Sequence, residues 1–182
     1  MTRQVADIVI YDNREYLISG IIGKGLLTPI DLGLTPCTMS TACYRGYICS
    51  YKFVDDKLYL TEMLVRTADK QFPVINGVSA MPFYGASQYQ DLKVFCNLSG
   101  GLVLVRDELR IPAVVPNPSC FGTVIEIILI NGQIEQAIDH SETMHDIRRR
   151  MDEVPDSHSH WRIKMEIEWS FVSGYKEQPV IC

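Results

Sequence analysis

From Tyr44 to Val65 the chain reads YRGYICSYKFVDDKLYLTEMLV, two runs of Tyr, Ile, Phe, Leu and Val separated by Asp55-Asp56. Aspartates tolerate turn conformations and bond to their own backbone, so the pattern predicts a β-hairpin. With the aspartates as its loop, Val54 faces Lys57, Phe53 faces Leu58 and Tyr51 faces Leu60. One side of the ribbon then carries Tyr47, Cys49, Tyr51, Phe53, Leu58 and Leu60, a surface that needs a core to cover it.

Sliding the chain by 76 residues lays Gly46–Leu64 over Gly122–His140, GTVIEIILINGQIEQAIDH. Asp55-Asp56 then falls on Asn131-Gly132, the dipeptide most favoured in a two-residue type I′ turn because both central residues need φ > 0. In that register Leu129 meets Ile134 and Ile125 meets Ile138. Each half is also preceded by an expected hairpin: Asp7–Ser19 with its turn near Asp12-Asn13, and Leu92–Asp107 with its turn near Ser99–Gly101. Duplication of a four-strand plan is one reading; the simpler one is that β-hairpins resemble each other.

Between these ribbons the pattern breaks. Ile21–Ser40 is punctuated by Gly23, Gly25, Pro29, Gly33 and Pro36 and is expected as a long loop. Arg66–Gln90, with Pro73, Gly77, Pro82 and Gly85, is loop or short-strand territory and the expected link between the halves. In Ile111–Cys120 the prolines exclude a helix or a central strand. Asp139–Val154 is the one helical pattern: Asp139 and Glu142 resemble a capping pair, Met144, Ile147, Met151 and Val154 form a stripe, and Pro155 ends it. Acidic residues open it and Arg148-Arg149-Arg150 lie towards its end, as the macrodipole favours. Trp161, Ile163, Met165, Ile167, Trp169 and Phe171 alternate with polar residues, which predicts a final strand with one wet face.

The expected fold is therefore mainly β (α+β): antiparallel hairpins in two related halves, forming a sandwich or a continuous twisted sheet, with one helix at about 140–153. The 182 residues suit one domain, with 1–80 and 81–182 as its natural halves.

Composition narrows function chiefly by exclusion. A net charge of −5 and a pI near 5.3 argue against nucleic acid as partner. No apolar run approaches the roughly 18 residues of a membrane span. Six cysteines without CxxC spacing, and no secretory leader, point to a reducing, cytoplasmic setting. Cys49 and Cys96 fit best as small buried apolar residues.

Candidate chemistry is thin. Gly23-Lys24-Gly25 lacks the spacing of a phosphate loop. Asp156, His158 and His160 could lie on one side of an extended segment, but no further metal ligand stands at diagnostic spacing, and solvated histidines are the simpler reading. No nucleophile motif is present, Asp55/Asp56 and Glu166/Glu168 fit a turn and a wet face, and the triple arginine fits a solvated helix end. No catalytic residue, metal or cofactor is therefore expected. The residual oddity is Tyr44-Arg45-Gly46-Tyr47, with Asp55 and Asp56 at the ribbon's tip. Tyrosine and arginine often anchor protein interfaces. The alternatives are tyrosines that cap the hairpin's packing at its rim, and an arginine that holds the loop at Ile21–Ser40.

Thr41-Ala42-Cys43-Tyr44-Arg45-Gly46-Tyr47 and Asp55-Asp56-Lys57-Leu58-Tyr59-Leu60 resemble a T-x-C-[WY]-R-G-Y stretch, an aspartate-centred turn and LYL in a group of bacterial hypothetical proteins. The resemblance implies a small cytoplasmic immunity-type or accessory protein and carries no catalytic residues. The expected function is a bacterial binding protein, more an inhibitor than an enzyme. It would neutralise a protein partner such as a toxin through Tyr44, Arg45, Tyr47, Asp55 and Asp56. The alternative is a small-molecule binder or enzyme with its site between the halves, and a homo-oligomer is a further option.

Overall fold

The computed structural model describes residues 2–110, 117–153 and 165–174. Its strands are β1 (Ile8–Tyr11), β2 (Arg14–Lys24), β3 (Tyr47–Val54), β4 (Lys57–Val65), β5 (Met81–Phe83), β6 (Ala86–Tyr89), β7 (Val94–Phe95), β8 (Ser99–Glu108), β9 (Phe121–Ile130) and β10 (Gln133–Asp139). The helix α1 (Ser141–Glu153) follows them. The fold is mainly β with a large mixed sheet, in the order β10-β9-β8-β2-β1-β3-β4-β6-β5, with β7 also on β4. Because β10 returns to pair with β4 at Gln133 and Lys57, the strands from β10 round to β4 close into a ring. All pairings are antiparallel except β1 with β3.

Three expected turns stand where the dipeptides place them. Asp12-Asn13, Asp55-Asp56 and Asn131-Gly132 all have both residues at positive φ, as type I′ turns require. The first ribbon keeps its expected register from the turn to Tyr51, with Val54 opposite Lys57, Phe53 opposite Leu58 and Tyr51 opposite Leu60; beyond it Thr61 is an extra residue, so Ser50 meets Glu62 and Tyr47 meets Val65. In the second, Leu129 faces Ile134, but Glu135 is an extra residue, so Ile125 meets Asp139 and Ile138 meets Glu126. A β-bulge of this kind leaves no trace in the apolar pattern.

The ring closes where two of these turns meet. Leu58 N–H donates to Gly132 O at 2.9 Å and Ile134 N–H to Asp56 O at 2.8 Å. Inside lies one core, including Val9, Tyr16, Cys49, Tyr51, Leu60, Leu104, Ile127 and Leu129. Fully burying such side chains is worth about 1.5–3 kcal/mol each. Outside, α1 covers β8 and β9: Met144 and Ile147 pack on Val103, Val105, Phe121 and Val124. Both faces of β8 are thus buried, and its sequence Leu102–Val105 is continuously apolar for that reason.

That burial overturns the turn expected near Ser99–Gly101. Those residues begin β8, where Gly100 pairs with Gly23 across to β2. A Cβ on Gly100 would lie 1.9 Å from Ile22 O, so the glycines allow close backbone approach within a strand. The partner hairpin of β8 is absent among the described residues, and the two halves differ in layout: β1 meets β3 in parallel, β8 meets β9 antiparallel. The expected loop at Ile21–Ser40 likewise starts late, since β2 runs on to Lys24.

The expected final strand is also corrected. Residues 165–169 are helical, while 161–164 lie outside the described residues. Ile167 and Phe171 are 3% and 4% exposed, whereas Trp169 is 75% exposed. The buried pair is four apart, the spacing of a helix face. Alternation alone could not show this, because i, i+4 is common to both periods. The helix α1 stands where expected. Its entry is tied by Asp139 accepting the Ser141 N–H at 2.8 Å rather than by a reciprocal pair with Glu142. Val154 and Pro155 lie outside the described residues, as do Asp156, His158 and His160.

Candidate functional site

The expected contact residues divide between the two ends of β3. Tyr44, Arg45 and Tyr47 stand at its start, Asp55 and Asp56 beyond its finish. At about 3.3 Å per residue that is a separation of roughly 25 Å, so the structure does not bring the two groups together. Asp55 and Asp56, at φ 48° and 59°, form the exposed turn that closes against Asn131-Gly132.

Arg45 is an internal tie. Its Nη1 and Nη2 bond the two oxygens of Asp7 at 2.8 and 2.7 Å, its Nε donates to Tyr47 O at 2.9 Å, and its guanidinium lies 4.7 Å from the Tyr47 ring centroid. Asp7 also accepts the Cys49 N–H at 2.7 Å. A bidentate fork of this kind is the strong form of the ion pair. Burial pushes the Asp7 carboxyl upward, and Arg45 and the Cys49 N–H counter that only in part. The pair pins the N-terminal segment to β3, not the Ile21–Ser40 loop. Tyr47 is half-buried against this pair, and Tyr44 stays exposed.

A second feature emerges beside Tyr44 that the sequence did not single out. β6 extends the sheet from the lower half of β4, with Ser87 opposite Val65, which is itself opposite Tyr47. The Arg66 N–H donates to Gly46 O, so Gly46, Arg66 and Ala86 lie in one row. The β5–β6 turn, Tyr84-Gly85, therefore projects from the same end as Tyr44, two strands or about 10 Å across the sheet. Tyr84 is held at φ 41° and is 98% exposed; its ring meets Phe83 edge-on at 5.0 Å. Met81 and Phe83 are exposed as well. Pro82, opposite Ser87, is one residue from the bonded pair that closes the turn, so its nitrogen points to the free edge. A donor is missing there, which discourages pairing with another strand. What the hairpin presents is its aromatic side chains. The signal was a turn glycine straight after Met-Pro-Phe-Tyr.

Gly33, Leu34, Asp69, Gln71, Phe72 and Pro73 line an open depression of about 480 Å³. On the outer face of β9, Glu126 is fully buried and accepts from His140 Nε2 at 2.9 Å, Val172 N–H at 3.0 Å, and both the N–H and the hydroxyl of Ser173. Burial pushes this carboxyl up, but the bonds from Ser173, His140 and Val172 outweigh it and hold it below its ordinary value. Gly101 leaves the space that Ser173 fills, since a Cβ there would lie 2.2 Å from its hydroxyl. This cluster fastens residues 171–174 to the barrel, and the His140 ring stacks edge-on with Phe171 at 4.8 Å. A lone charge inside FGTVIEIILI was its sequence signal.

Cys49 and Cys96 are buried, as expected, and burial pushes the Cys96 thiol up to about 11. Among the described residues no group of His, Cys, Asp or Glu is arranged to hold a metal ion, and no helix is long and apolar enough to cross a membrane. Comparison with known proteins finds no matching family model, curated protein or solved structure.

Proposed function

We propose that the protein works by surface contact with a protein partner, through the end of the sheet where Tyr44 and the Phe83-Tyr84 hairpin tip emerge. The observation that carries this reading is Tyr84: a large ring, 98% exposed, in a backbone conformation that favours Asn, Asp or Gly. An aromatic residue in that place costs local stability and buries almost none of its surface in return. Rigid aromatic side chains with few rotatable bonds are the groups that most often anchor an interface. The side chains that fill the barrel interior, such as Tyr51, Leu58, Leu60 and Leu102, favour a working outer surface over a site between the halves.

The specific form suggested by the resemblance is an inhibitor of the immunity type in a bacterial cytoplasm, covering a toxin by contact. Affinity capture from the native host tests the reading with two chains, wild type and Tyr84→Asn, both checked for folding. A partner retained by the wild type and released by the variant supports it. Equal retention by both removes the hairpin tip from the contact surface.

A further inference from the structure

The geometry points to a binding site for a phosphate-type oxyanion on the outer face of the barrel, between Arg148 of α1 and Arg110, which follows β8. The triple arginine is not uniformly solvated. Arg149 lies near Asp146 and Arg150 is paired with Glu166 on the surface, whereas Arg148 is 7% exposed. Its Nη1 donates to two backbone carbonyls, Phe121 O and Ser119 O. A guanidinium has five N–H donors, so the three on Nε and Nη2 have no acceptor among the described residues.

The charge is uncompensated as well. Arg45, the other largely buried arginine, has the Asp7 carboxylate in a bidentate pair, while Arg148 pairs with no carboxylate among the described residues. Asp152, four residues on and its natural partner along the helix, is taken by Arg110. Burial first, and then the charge of Arg110, hold Arg148 below the usual arginine range. Buried charges are ordinarily paired. A buried guanidinium with unoccupied donors beside the Arg110–Asp152 pair leaves one net positive charge and fits an oxyanion, and guanidinium geometry suits phosphate oxygens. The ligand is free phosphate or the phosphate of a small phosphomonoester.

Thermal unfolding of the full chain in inorganic phosphate or methyl phosphate, against chloride at matched ionic strength, tests this. The expected result is a saturable rise in Tm of at least about 2 °C in one or both arms. The arm that saturates at lower concentration identifies the source. Arg148→Met should abolish the rise and Arg149→Gln should retain it. Should Arg148→Met fail to fold, Arg110→Gln decides, because Arg110 is exposed and its loss should raise the half-saturating concentration several-fold. A rise that never saturates, or one unchanged in Arg110→Gln, would overturn the site.

Discussion

Replacing Tyr84 by Asn separates the stability of the hairpin from its proposed use. Tyr84 occupies the first central position of a type I′ turn at φ 41°, where an L-residue with a bulky side chain costs about 1–2 kcal/mol. Asn-Gly is the most favoured dipeptide for that turn and recovers much of this cost. Against it stands only the edge-on contact with Phe83, about 0.5–1.5 kcal/mol for an aromatic pair. At 98% exposure no burial is lost. The balance centres on about 0.5 kcal/mol of added stability, or a Tm higher by about 1–2 °C at this chain length. Urea titration with the slope held constant gives the difference directly. If the variant is instead less stable than wild type by 1 kcal/mol or more, the ring is packed against something and the argument for a presented contact residue fails.

Other consequences are local. Glu126→Gln should cost about 1.5–3 kcal/mol near pH 7, from the charge-assisted bonds to Ser173, Val172 and His140. Because the folded carboxyl titrates below its ordinary value, that advantage is complete above about pH 4.3 and is lost as the pH falls through the depressed value. Asp107, Asp139 and Asp152 are also held low by their hydrogen bonds, so it is the gap between the two chains, not acid sensitivity itself, that should close on acidification. A gap that widens in acid would contradict the assignment. Arg45→Met should cost about 3 kcal/mol in denaturant, because it strands a buried Asp7, and Asp7→Asn in the same chain should restore part of the loss. Gly100→Ala should be far more damaging than Gly85→Ala in a thermal melt: a Cβ meets Ile22 O at 1.9 Å in the first and nothing within 4 Å in the second. Equal losses would mean that backbone conformation, not close approach, decides both.

The parts of this fold that the sequence made legible are those where one local rule acts alone. Asp12-Asn13, Asp55-Asp56 and Asn131-Gly132 announce turns through backbone preference, and the stripe of Met144, Ile147 and Met151 announces a helix face. Where two rules coincide, the reading goes astray. Ser99-Gly100-Gly101 satisfies the turn rule, yet the glycines are there because β2 and β8 approach closely. Ile167 and Phe171 satisfy both strand and helix spacing, and only the surface against α1 and β9 decides between them. Closure of the ring depends on the stagger between the Asp56 and Gly132 turns, a long-range quantity with no local signature. For the candidate site, Tyr44 stood out as an aromatic residue beside a strand start, but contact and rim packing were equally open to it. Arg45 was ambiguous because an arginine beside a strand start serves equally as contact or tie, and its partner Asp7 lies far away in the chain. Tyr84 was hidden in a Pro/Gly-rich stretch whose strands are short.

The central claim, that function resides at the end of the sheet bearing Tyr44 and Tyr84, is tested most directly by position-specific photo-crosslinking in native cells. A photoreactive side chain replaces Tyr84 in one chain and Asp12, an exposed type I′ turn residue at the opposite end, in another. The account predicts a discrete adduct of defined mass from position 84 and none from position 12. The same adduct from both positions, or one from position 12 alone, would contradict it.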